Sequence, residues 1–133
     1  MSGDACIDTN AAIDILNNAG NVVKIVSSYH EIYLPITVVG ELRFGAYRST
    51  KVSENLVKID ALEMRCSVIE IDSQIADLYG VTRSQLFNAG NPIPENDIWI
   101  AACCLSIGCP IITDDGHFDY VIGLQTIHIT KKT

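Results

Sequence analysis

The side chains in this sequence best suited to chemistry are acids. Asp8 follows the apolar run Ala5-Cys6-Ile7. Glu41 lies among Val38, Leu42 and Gly45. Asp97 opens the stretch Pro94-Glu95-Asn96-Asp97-Ile98-Trp99-Ile100-Ala101-Ala102, and Asp114-Asp115 follow Ile111-Ile112-Thr113. Taken singly, Asn96 or Asp97 reads as a helix N-cap, whose side chain satisfies free backbone N–H groups. Glu41 alone reads as a solubilising residue. Brought into one cleft, such carboxylates cannot all ionise cheaply without cations, because like charges raise each other's pKa. Mg²⁺ and Mn²⁺ take oxygen ligands in octahedral geometry. Such ions polarise a phosphodiester, lower the pKa of a bound water and stabilise the leaving oxygen. The acids therefore point to metal-assisted phosphodiester hydrolysis. Thr9, Asn10, Asn96 and Thr113 are placed to orient ligands or waters around them.

The elements that must position these acids read as alternating strands and helices. Short apolar runs predict strands over 5–7, 31–35, 67–71, 110–113 and 126–129. Helical spacing predicts helices over 11–16, 22–29, 51–64, 73–87 and 96–107, with a short one over 117–122. Thr37 is expected to cap the helix that carries Val38, Val39, Glu41, Leu42 and Ala46, and Asp72 the helix that follows the third strand. Gly90 and Gly108 stand where helix C-termini favour glycine. Continuous apolar strands separated by helices indicate an α/β domain whose mostly parallel sheet is covered on both faces. In such sheets ligands bind at the C-terminal ends of strands, where strand order reverses. Asp8 and Asp114-Asp115 fall just past strand ends, and Asp97 begins the helix leading into the fourth strand.

Composition narrows the class. With 133 residues, the chain is expected to form a single domain over 1–133, burying about two thirds of its unfolded surface. Hydrophobic residues are 48% and charged residues 19%, a globular rather than disordered balance. A net charge of −7 argues against a basic nucleic-acid-binding surface, yet bound dications reverse the local field at an acidic site. The cysteines (Cys6, Cys66, Cys103, Cys104 and Cys109) lie mostly in apolar runs without zinc spacing, and read as core residues of a reducing compartment. The start of the chain lacks signal-peptide regions and the apolar run over 98–112 is interrupted, so a cytoplasmic protein is expected.

Asp8-Thr9-Asn10, Glu41-Leu42-Arg43-Phe44-Gly45, Asn96-Asp97-Ile98-Trp99-Ile100-Ala101-Ala102 and Thr113-Asp114-Asp115-Gly116-His117-Phe118, in that order and spacing, resemble the PIN-domain family. Within that family the likeness is to VapC-type toxin ribonucleases of type II toxin–antitoxin pairs. The resemblance implies a three-layer α/β/α sandwich around a mostly parallel five-stranded sheet, Mg²⁺ or Mn²⁺ dependence and endonucleolytic cleavage of RNA. It also implies a cognate antitoxin that blocks the site, and often a homodimer. By that resemblance Asp8, Glu41, Asp97 and Asp115 are the catalytic, metal-holding acids, with Asp114 the neighbour that competes for the fourth place. Asp8 and Asp97 are expected as direct ligands, while Glu41 ligates through water or helps activate it. Arg43, Arg48 and Arg83 are candidates for phosphate contact. His30 and His117 read as structural or exposed, and Trp99 and Phe118 as core.

Two rival readings stand beside this one. A receiver-type phosphoacceptor domain would use Asp8 for Mg²⁺, Asp72 as acceptor, Thr113 and Lys131. It leaves Glu41 and Asp97 without a role. A non-catalytic binding module would make the acids caps and surface charge.

Overall fold

The computed structural model describes residues 3–129; Lys131 and the Lys131-Lys132 tail lie outside them. Five strands form one sheet: β1 (Asp4–Ile7), β2 (Glu31–Pro35), β3 (Ser67–Ile69), β4 (Ile111–Thr113) and β5 (Thr126–His128). The helices are α1 (Thr9–Leu16), α2 (Gly20–Val26), α3 (Ile36–Tyr47), α4 (Val52–Arg65), α5 (Ser73–Ala89) and α6 (Glu95–Ile107), with a 3₁₀ turn over Gly116–Tyr120. The strand order is β3-β2-β1-β4-β5. All of its pairings are parallel, so the expected "mostly parallel" sheet is wholly so.

This order has a direct consequence for the acids. The chain builds outward from β1 through β2 to β3, then returns to the other side of β1 for β4 and β5. Right-handed crossovers put the helices of the first half on one face, and α5 with α6 on the other. The reversal falls between β1 and β4, where Ile7 pairs with Ile112. Asp8 and Thr113 are the next residues on these two strands, so the chain's two strand-end polar motifs meet at the switch point.

Apolar packing holds the layers in place. β1 and β4 contribute Ala5, Cys6, Ile7, Ile111 and Ile112, none with exposed surface. Ile98, Ile100, Ala101, Ala102, Cys103 and Cys104 line the buried side of α6. That helix is apolar nearly all round, as a helix packed against both sheet and helices must be. Burial pushes the Cys103 thiol up to about 12, so it stays a protonated core group. Among the described residues no helix is long and apolar enough to cross a membrane.

Helix ends show where local sequence decides and where it does not. The Asp72 carboxylate accepts the Ile75 N–H at 2.9 Å and caps α5. Gly90 (φ 74°) and Gly108 (φ 69°) close α5 and α6 in the left-handed conformation that only glycine adopts cheaply. Thr37 does not cap α3. The helix starts two residues earlier, with Pro35 in the cap position, and the Thr37 hydroxyl is buried without a hydrogen-bond partner. Likewise neither Asn96 nor Asp97 caps α6, which starts from Pro94 without a side-chain cap. A proline φ near −57° already sets the chain for entry into a helix.

Candidate metal centre

Asp8 is the deepest acid. It closes β1 and is also the N-cap of α1, its Oδ1 accepting the Ala11 N–H at 2.9 Å. Its Oδ2 accepts the Thr113 hydroxyl at 2.5 Å, which bolts the end of β1 to the end of β4. Only 4% of Asp8 is exposed. Burial lifts its pKa from 3.8 to about 6; the two hydrogen bonds oppose this, and the charges of Asp114 and Asp97 add to it. The buried Thr113 hydroxyl also accepts the Asp115 N–H at 2.9 Å, so one threonine sets the positions of two site acids.

The other acids arrive from separate elements. Glu41, on α3, accepts the Thr9 hydroxyl through Oε1 at 2.6 Å, which ties α3 to the start of α1. Asp97 is the third residue of α6. Because it is not spent on capping, its Oδ2 sits 3.2 Å from His117 Nδ1. Burial raises the Asp97 pKa; the His117 hydrogen bond counters it, and the Asp115 and Glu41 charges reinforce it. Asp115 precedes the 3₁₀ turn, and its Oδ1 accepts the His117 backbone N–H at 2.9 Å.

These groups line one open cleft of about 310 Å³: Asp8, Glu41, Asp97 and Asp115, together with Thr9, Asn10 and Asn96. Asp114 is not in its wall and acts on Asp8 through charge. The carboxylates therefore come from four segments up to 107 residues apart in sequence (115 − 8). Within the cleft one tighter group stands out. Ligand atoms of Asp97, Asp115 and His117 all lie within 4.8 Å of one another. A donor set of two carboxylates and one imidazole, in which burial and the neighbouring Asp115 and Glu41 charges disfavour the charged form of Asp97, fits a divalent cation.

His117 is the cleft residue that sequence reading missed. It lies within the fourth acidic motif, but beside those acids its imidazole reads as structural or exposed. The available signal was its place two residues after Asp115, where a tight turn returns a side chain to the same cleft. The arginines go elsewhere: Arg43 is held by Asp60 at 2.9 Å and by Glu63, Arg48 lies over Phe44, and Arg83 bonds Tyr79. Phe118 is fully buried and Trp99 stacks on Tyr79. The receiver-type reading fails on topology. A receiver pairs its third strand with its first, whereas here β3 lies at the edge beyond β2. Asp72 is occupied as a helix cap and is not in the cleft.

Comparison with known proteins agrees with this architecture. The PIN domain family model matches residues 5–124. Ribonuclease VapC1 of Haemophilus influenzae (strain R2866) is 29% identical over 130 residues, spanning 94% of this chain and 97% of the relative. In structure, VapBC2 from Rickettsia felis, bound to a promoter DNA fragment, superposes with a TM-score of 0.88 at 21% identity, covering 96% of this chain and 99% of that one. VapBC-1 from nontypeable Haemophilus influenzae gives 0.84 at 27% identity, covering 94% and 97%. The chain belongs to the PIN-domain family.

Proposed function

We propose that this chain is a metal-dependent endoribonuclease, the toxin of a toxin–antitoxin pair, and that it hydrolyses RNA phosphodiester bonds in the acidic cleft. The observation that carries this reading is the convergence of Asp8, Glu41, Asp97 and Asp115 at the β1/β4 switch point of a PIN-family sheet. A relative named as a ribonuclease, aligned over almost the whole chain, supports it.

Asp97 and Asp115 are the acids whose oxygens are grouped closely enough to share an ion, Mg²⁺ or Mn²⁺. Such an ion supplies charge for the phosphate and a bound water of lowered pKa. Asp8, expected as a direct ligand, lies outside this tighter group; fixed by Thr113 and Ala11, it sets the negative field at the cleft floor. Glu41, oriented by Thr9, takes a proton from the attacking water. Asn10 and Asn96 offer amide donors to substrate oxygens from the walls. The cleft lining, which includes Asp115 and not Asp114, supports Asp115 as the fourth site acid.

The same reading covers organisation and partners. The chain acts as one domain over 1–133, in the cytoplasm, as a homodimer held in check by a cognate antitoxin. An apolar groove of about 220 Å³ between α1, α3 and α4 has Glu41 in its wall and offers an antitoxin segment a seat beside the cleft.

The test is cleavage of a mixed set of structured RNAs with Mg²⁺ or Mn²⁺, with EDTA, and with Asp97→Asn prepared in parallel. The reading expects metal-dependent cutting that falls by about a hundredfold or more in the variant. Undiminished cutting by Asp97→Asn would overturn the assignment of the site. An absence of both cutting and metal-induced thermal stabilisation would return the chain to a binding module.

A further inference from the structure

His117 Nδ1 lies 3.1 Å from Asp115 Oδ1 and 3.2 Å from Asp97 Oδ2. A single ring nitrogen thus stands between carboxylates delivered by two different elements. One N–H satisfies one acceptor well, so the second carboxylate gains little from it as a hydrogen-bond partner. The arrangement makes better sense as three donors facing a common point. Their ligand atoms are mutually within 4.8 Å.

The imidazole is also held in place. The His117 backbone N–H is tied to Asp115, and the Asp115 N–H to Thr113. Phe118, the next residue, is fully buried and anchors the turn in the core. The ring itself remains half-exposed at the rim, where an ion would enter.

We propose that His117 is a nitrogen ligand of the metal centre and that it tunes the centre toward a first-row transition dication such as Mn²⁺ over Mg²⁺. This rests on the nuclease reading for the use of the ion, but not for the donor set. Mg²⁺ is a hard ion that prefers oxygen and retains its waters. Imidazole nitrogen adds little to its binding, whereas it strengthens binding of transition dications. A carboxylate-only cleft would discriminate between the two ions far less. Ligation uses the Nδ1 lone pair and places the ring proton on Nε2.

Calorimetric titration of wild type and His117→Ala with MnCl₂ and with MgCl₂ tests this without reference to activity. Loss of the imidazole should weaken Mn²⁺ by about tenfold or more and leave Mg²⁺ nearly unchanged. An independent readout is the proton NMR spectrum of the histidine rings under substoichiometric Mn²⁺. The His117 signal, assigned by its loss in His117→Ala, should broaden before those of His30 and His128. An equal loss for both ions, or broadening of all three rings together, overturns the proposal. If wild type binds neither ion, the metal centre and the nuclease reading fall together. If RNA is cut and the Mn²⁺ to Mg²⁺ ratio is unmoved in His117→Ala, the nuclease reading stands and only the role of the imidazole is lost.

Discussion

At the scale of single residues, Asp8 carries a thermodynamic liability. Its folded-state pKa of about 6 exceeds the ordinary 3.8. Between those values the folded protein keeps a proton that the unfolded chain has released, so stability falls as pH rises from about 4 to about 6. For a group this buried the loss is about 3 kcal/mol. In EDTA, Asp8→Asn should flatten that pH profile and melt higher than wild type at pH 8, while losing cleavage and metal stabilisation. Thermal melts from pH 4 to 8 check this; a variant less stable than wild type at pH 8 refutes it. Asp115→Asn should reduce cleavage more than Asp114→Asn, and single-turnover rates of the two variants decide between the neighbours. The acids were legible in the sequence because each sits against an apolar run, where a charge needs a reason. His117 was not, because only one of its partners, Asp115, is near in sequence; the other, Asp97, is 20 residues away and joined only through the fold.

At the scale of elements, strands and helices were readable to within a few residues. Apolar runs, Asp72 and the paired glycines mark their limits. Gly108→Ala should cost about 1 kcal/mol by forcing a side chain into φ 69°, measurable by denaturant unfolding. The start of α3 was misread because threonine is a common cap, whereas Pro35 fixes the entry angle before Thr37 is reached. That error yields a sharp prediction. Thr37→Val should leave stability equal or raise it by about 1 kcal/mol, since it deletes a buried hydroxyl without a partner. A true cap would lose about 1 kcal/mol on the same change. The same reasoning explains Asp97. Because Pro94 starts α6, the Asp97 carboxylate is available to the cleft, and the positive end of the helix favours its charge.

At the scale of the whole molecule, a net charge of −7 and a cleft of mutually repelling acids describe a protein that gains from a dication. Saturating metal at about a hundred times its Kd should stabilise the fold by about 2.7 kcal/mol. Scanning fluorimetry against metal concentration should show this rise in wild type and its loss in Asp97→Asn. The class of the sheet was legible because buried parallel strands read as unbroken apolar runs. Its order was not, since no local signal says that β4 returns beside β1. That placement depends on which apolar faces fit once the helices are in position.

The bond between Asp8 and Thr113 spans 105 residues. On a ribosome, synthesis proceeds at roughly 5–20 residues per second, and the N-terminal half of the sheet emerges seconds before its counterpart. Until β4 clears the exit tunnel, Asp8 has no Thr113 to hold it, and Asp115 and His117 do not yet exist in the chain. Every nascent or prematurely terminated product that stops before this point carries an incomplete cleft. The cleft is thus closed by residues that lie 105 or more positions after Asp8, and it cannot form until they have been made.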